Sequence, residues 1–180
     1  MGDVRPEYVF LGFLVEGPAH GYHLYRLYKN SLEGLWHISE SQMYASLKRL
    51  EKRGWIAPVR EESLGEETQS RQQFMLTFEG ISAYERWLWT PTAASPRLLK
   101  LEFLTRLYFA MRWNLEEAYG LIEYQRLSLE KELNRLLDSV PTTGKASEHD
   151  SPLLFDISVL ARDFRIRQIR TALDWMKELL

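Results

Sequence analysis

Residues 39–56 read SESQMYASLKRLEKRGWI, and the fold turns on them. Ser39 and Gln42 stand at the spacing of a capping box, in which two side chains satisfy two orphan amides at a helix start. Gly54 sits just beyond the last periodic residue, where a glycine closes a helix. At ~100° per residue, Met43, Leu47 and Leu50 fall in one narrow arc. Ser41, Ala45, Lys48, Arg49 and Lys52 lie on the other side. One face is made for burial. The opposite face is small, polar and basic, and suits a DNA major groove ~12 Å wide. A solvated surface helix shows the same pattern, so the neighbouring segments decide.

Upstream, Pro6 is placed to open a helix. Val9, Phe10, Phe13 and Leu14 follow at helical spacing, and Gly17-Pro18 ends the run. A second helix is expected over 21–31, carrying Tyr22, Leu24, Leu27 and Tyr28. With 39–53 this makes three short helices, the skeleton of a helix-turn-helix module. Downstream, 55–59 (WIAPV) reads as a strand that Pro58 confines to an edge. Residues 73–77 (QFMLT) read as its returning partner, after a polar loop around Gly65. Helix-helix-helix-strand-strand is the order of a winged helix. Thr77 then caps a helix to about 89, with Ile81, Tyr84, Trp87 and Leu88 as its apolar residues.

Residues 90–96 (TPTAASP) break the composition, and the domain boundary is placed there. The expected units are 1–90, a linker at 91–96, and an all-helical unit at 97–180. In the second unit, 97–112 is apolar nearly all round, which implies burial on more than one side. Asn114 opens a helix over 115–138, with Leu115, Ile122, Leu129, Leu133, Leu136 and Leu137. After a polar stretch at 139–151, a last helix is expected from Pro152 to the C-terminus. Its Ile157, Leu160, Ala161, Phe164, Ala172, Trp175, Met176 and Leu179 recur every three or four residues. Such a helix would reach roughly 40 Å. Its surplus apolar surface calls for a second copy of the chain across a two-fold axis. A monomeric helical hairpin is the alternative.

Composition narrows the chemistry. The chain has 180 residues, 45% apolar and 27% charged, with no cysteine. That removes disulfides, cysteine-ligated zinc and a cysteine nucleophile. No signal-peptide pattern and no apolar run of ~20 residues is present, so a cytoplasmic, non-membrane protein is expected. Net charge is −2, and residues 1–90 hold ten Lys/Arg against twelve Asp/Glu. Any affinity for nucleic acid must therefore come from local placement of charge. His20, His23 and His37 lack companions at zinc spacing, so no metal or other cofactor is expected. No nucleophile elbow, phosphate loop or dinucleotide fingerprint appears, and an enzyme is not expected.

Several motifs resemble those of the PadR-type transcriptional regulators. Leu11-Gly12-Phe13-Leu14, Glu16-Gly17-Pro18 and His20-Gly21-Tyr22 are similar to the family's first helix and its turn. Tyr44, Leu47, Lys48, Arg49, Leu50, Gly54 and Ile56 resemble its recognition-helix pattern, and Arg71, Phe74, Leu76, Thr77 and Gly80 its wing closure. Glu102-Phe103-Leu104 with Leu107 and Phe109 resembles the opening of its helical domain. The resemblance implies a winged-helix repressor that dimerises through C-terminal helices, binds a palindromic operator and is released by a small aromatic effector. By position it puts Tyr44, Lys48 and Arg49 at the DNA and Arg71 at the base of the wing. Ser39, Ser41, Gln42, Ala45 and Lys52 complete the expected DNA set, with Arg49 as base reader because a guanidinium grips guanine bidentately.

Two departures qualify this. Ala45 stands where the family has proline. The wing is acidic, with Glu61, Glu62, Glu66 and Glu67 against Arg60 and Arg71, and carboxylates beside phosphates repel. A winged-helix module that binds protein or ligand but not DNA is the rival reading. For an effector, Trp89, Phe103, Tyr108, Trp113 and Trp175 are the candidate lining of a pocket between two protomers, since flat ligands stack on such rings. Packing in a dimer core would use the same residues, while Trp36, Trp55 and Trp87 are expected in core or interdomain packing.

Overall fold

The computed structural model describes residues 5–59, 72–139 and 157–180. Helix α1 (Glu7–Leu14) is the hub of the N-terminal half, and Val9, Phe10, Leu11, Phe13 and Leu14 are all buried. Around it lie α2 (Gly21–Ser31), α3 (Glu40–Lys52) and α4 (Phe78–Leu88). Met43, Leu47 and Leu50 of α3 all enter this core, as their spacing predicts.

The caps form as expected. Ser39 Oγ accepts from the Gln42 amide, and the Gln42 side chain accepts from the Ser39 amide. Gly54 has φ 69°, and the Trp55 amide reaches back to the Leu50 carbonyl at 3.0 Å, so a left-handed residue closes the helix. Replacing Ser39 by alanine should cost about 1 kcal/mol of stability. Chemical denaturation of the full chain measures it, and an unchanged midpoint would deny the cap its role.

The sheet is larger than the sequence predicts. Strands β2 (Ile56–Pro58) and β3 (Gln73–Leu76) pair antiparallel, with Ala57 opposite Met75. A further two-residue strand, β1 (Ala19–His20), pairs with the other edge of β3 in the order β1-β3-β2. It was hidden because Gly17-Pro18 reads as a turn and two residues show no alternation. Pro58 ends β2 at the sheet edge, where a missing amide proton breaks no ladder. The wing residues Arg60, Glu61, Glu62, Glu66, Glu67 and Arg71 lie outside the described residues.

The helical half also departs from expectation in places. The continuous helix read over 97–112 is instead α5 (Pro96–Leu98), a π-helical turn (Leu99–Phe103) and α6 (Leu104–Trp113). The wider turn lets one rod serve two cores. Leu101, Tyr108 and Phe109 pack on the N-terminal core, and Phe103, Leu107 and Ala110 on the C-terminal one. Phe109 lies so close to Gly12 that a Cβ there would collide with its ring. Helix α7 (Leu115–Asp138) begins where Asn114 predicts, its side chain accepting from the Glu116 amide at 2.9 Å. Helix α8 (Ile157–Lys177) contributes Ile166, Ile169, Leu173 and Met176 to the second core; the start expected at Pro152 lies outside the described residues.

Periodicity overstates what one chain buries. Leu115, Leu137, Ile157, Leu160 and Phe164 are exposed, as are Tyr22 and Ile81 in the N-terminal half. The expected linker is not loose. Thr92 is buried, its amide donates to Gln125 Oε1 at 2.6 Å, and Gln125 Nε2 donates back to the Thr92 carbonyl at 2.8 Å.

Candidate nucleic-acid interface

The outer face of α3 holds Ser41, Ala45, Lys48 and Lys52, all exposed. Neither Lys48 nor Lys52 has an ion-pair or hydrogen-bond partner among the described residues. Two unneutralised ammonium groups one helical turn apart make a local positive stripe on a chain of net charge −2.

The other expected site residues are placed differently from what their spacing implies. Arg49 is at the edge of the face. Its Nε donates to Glu7 Oε1 at 2.8 Å and its Nη2 to Ser46 Oγ at 2.9 Å. Glu7 is 5% exposed, so a nearly buried carboxylate ties the guanidinium to the start of α1. Forty-two positions separate the pair, and no local pattern could reveal it. Tyr44 is half-buried against Gly21, where a Cβ would meet its ring. Desolvation, then the nearby Glu40, holds its phenol above the usual range. Ser39 and Gln42 spend their side chains on the cap, although Ser39 Oγ also lies 3.0 Å from Ser41 Oγ. Arg71 is outside the described residues.

The start of α3 is wired to the helical half. The Ile38 amide donates to the Tyr28 hydroxyl at 2.8 Å, and that hydroxyl donates to the Trp36 carbonyl at 2.6 Å. Trp36 Nε1 donates to Thr105 Oγ1 at 2.7 Å, and Thr105 Oγ1 donates to the Leu101 carbonyl at 2.5 Å. These groups are buried or nearly so, so the bonds act in a low dielectric and fix the loop before Ser39. The indole of Trp36 thus packs between the two halves.

The five candidate effector residues do not form one site within the chain. Trp175 meets Phe103 edge-on at 6.3 Å and lines a groove of about 530 Å³ between the α5–α6 region and α8. Tyr108 packs on Phe13 and Phe109 instead. Trp113 stands beside Tyr84, in a separate cleft of about 290 Å³. Trp89 is exposed at the end of α4. Among the described residues no cluster of three or more His, Asp or Glu could hold a metal ion. No described helix is long and apolar enough to cross a membrane.

Three helices, the third presenting unpaired cations, followed by an antiparallel strand pair, define a winged helix-turn-helix protein. Residues 10–86 match the model of the transcriptional regulator PadR-like family. The negative transcriptional regulator PadR of Bacillus subtilis (strain 168) is 28% identical over 149 residues, 83% of this chain and 79% of that protein. A crystal structure of Bacillus subtilis PadR with operator DNA aligns at TM-score 0.44 and 26% identity, covering 97% of each chain. One with p-coumaric acid aligns at TM-score 0.42 and 25% identity, covering 96% of this chain and 95% of that one. Over residues 10–86 the chain is thus similar to the PadR-like family of transcriptional regulators.

Proposed function

We propose that the protein is a cytoplasmic repressor that binds a palindromic DNA operator as a homodimer and is released by a small aromatic effector. The observation that carries this is the outer face of α3, where Lys48 and Lys52 are exposed and have no partners among the described residues. Phosphates are the natural counter-charge for such a stripe. Residues 1–90 form the DNA-binding unit, 91–96 the joint, and 97–180 the pairing unit. Exposed Ile157, Leu160 and Phe164 on α8 supply apolar surface for a second copy. Two recognition helices then enter successive major grooves, ~34 Å apart. The related Bacillus subtilis protein is a negative regulator, seen with operator DNA and with p-coumaric acid. Trp175 over Phe103 is the aromatic pair best placed for an effector, since the two meet beside a groove.

On DNA, Lys48, Lys52 and Arg71 contact phosphate, with Ser39, Ser41, Gln42 and Tyr44 assisting. Ala45 allows close approach, and Arg49 reads a base by exchanging Glu7 for a guanine edge. Fragments selected from genomic DNA supply the operator. Arg49→Ala should then lower the ratio of operator to scrambled-duplex affinity by about tenfold, while Lys52→Ala weakens both alike. An unchanged ratio in the Arg49 variant would confine that residue to holding α3 against α1. A chain that passes through heparin and random duplex at low salt would favour the protein-binding alternative.

A further inference from the structure

The cleft of about 290 Å³ beside Trp113 opens where the end of α1 and the Gly17-Pro18 turn meet β3, α4 and the end of α6. Its apolar walls include Pro18, Met75, Ile81, Tyr84 and Trp113, and Glu85 stands among them. We propose that this cleft is a binding site for a small organic cation, a primary ammonium group carried on a ring-sized apolar body.

Four features carry the assignment. Among the described residues that line the cleft, Glu85 is the one charged side chain. It is exposed and has no ion-pair or hydrogen-bond partner among the described residues. A carboxylate with no cation beside it attracts an ammonium and repels an anion. The Trp113 ring, exposed at the end of α6, lies 6.0 Å from the Tyr84 ring at an angle of 57°. Aromatic faces within about 6 Å draw a cation through the ring quadrupole. Met75 and Ile81 are exposed apolar side chains, so a ring laid against them removes apolar surface from water on both partners. The remaining wall is preformed. Gly17 has φ 143°, which glycine adopts without strain, and Pro18 fixes its own φ. A wall set before the ligand arrives lowers the cost of binding.

The charges around the cleft agree in sign. Arg112, next to Trp113 in sequence, is spent on Glu16, its Nε donating to Glu16 Oε1 at 2.5 Å. The charge of Glu16 still reaches the wall. Burial first, and then Glu16, holds the Tyr84 phenol above its usual range. The volume stands at the low end of what small ligands occupy, about 300 Å³, which suits one ring with a short chain. None of the residues lining this cleft lines the groove beside Trp175, and none belongs to α3. The site lies within one chain and does not rest on the DNA-binding reading.

The full-length protein is titrated with 2-phenylethylamine at pH 7, well below the range of about 10 in which alkylamines lose their proton. In parallel it is titrated with the neutral 2-phenylethanol at the same ionic strength, following backbone amides by NMR. Saturable shifts are expected at residues 14–17, 75–76, 81–85 and 113. The amine should bind about fivefold more tightly than the alcohol, the scale of one exposed ion pair. Glu85→Gln should erase that preference while leaving the alcohol's affinity and the unfolding temperature unchanged, since the carboxylate is exposed and unpaired among the described residues. Equal affinity of the parent chain for the two compounds overturns the site. So do shifts centred on the Trp175 groove or on α3, and so does a Glu85→Gln variant that keeps the preference for the amine.

Discussion

Gly80→Ala is expected to destabilise the protein by about 3 kcal/mol, the upper end for forcing atoms into a packed core. Gly80 lies in the first turn of α4 and sits directly on the backbone of Trp55. A Cβ there would fall inside the Trp55 carbonyl, and backbone cannot swing aside as a flexible side chain can. The contact is held from both sides. Thr77 Oγ1 donates to the Gly54 carbonyl at 2.6 Å and accepts from the Gly80 amide at 3.1 Å. The Thr77 amide donates to the Trp55 carbonyl at 3.1 Å. Alanine must therefore push α4 away from the end of α3 and the start of β2, opening the N-terminal core. Thermal unfolding should show a loss of roughly 10 °C for a chain of this size. Gly120 is the control. It lies in α7, and a Cβ there meets nothing within 4 Å. Gly120→Ala should be neutral or stabilising by up to about 1 kcal/mol, because alanine is the better helix former. Equal stability of the Gly80 variant and the parent would show that close approach is not what the glycine provides.

The second large effect is expected at Arg106. This guanidinium is 3% exposed and lies 4.9 Å over the Trp87 ring. Its Nη1 donates to the Thr90 carbonyl and, at 2.6 Å, to Thr92 Oγ1, while Nη2 reaches Glu102 Oε2 at 3.2 Å. One side chain thus ties the end of α4 and the 91–96 segment to α6. The pair is costly to keep charged. Burial pulls the Arg106 pKa down against the support of Glu102, and burial pushes Glu102 up against the pull of Arg106. Removing one partner is costlier, because the other stays desolvated with nothing to answer it. Arg106→Ala should lose about 3–5 kcal/mol. Adding Glu102→Leu to Arg106→Met should recover much of that loss, since an apolar pair of similar volume leaves no stranded charge. A double variant no better than Arg106→Ala would mean that the bonds to Thr90 and Thr92, not the ion pair, carry the energy.

What the sequence reveals here follows the range of the interaction. The capping box at Ser39 and Gln42, the closing Gly54, the Thr77 cap and the buried arc of Met43, Leu47 and Leu50 are all set within a few residues, and all are in place. Pro58 at a sheet edge is a local steric rule of the same kind. The π-helical turn at Leu99–Phe103 is not local, because it answers to two cores at once. Nor is β1, which exists only because β3 arrives beside it. The site divides in the same way. Lys48 and Lys52 are outward by helical phase alone. The hold of Glu7 on Arg49, and of Thr105 on Trp36, joins residues 42 and 69 positions apart. Aromatic content drew attention to five residues that line no single described cavity within one chain, and a ring on an apolar face packs as readily as it binds.

The proposed DNA binding depends most on the lysine stripe of α3 meeting the backbone of the double helix. The direct measurement is fluorescence anisotropy of a labelled duplex across a salt series, with the parent chain and the Lys48→Ala/Lys52→Ala double variant. Binding by the parent should weaken steeply as salt rises. In a dimer the variant removes about four phosphate contacts, so the slope of log affinity against log salt should fall by roughly three to four. A variant that binds with the parent's affinity and the parent's slope, while both remain folded dimers, would contradict it.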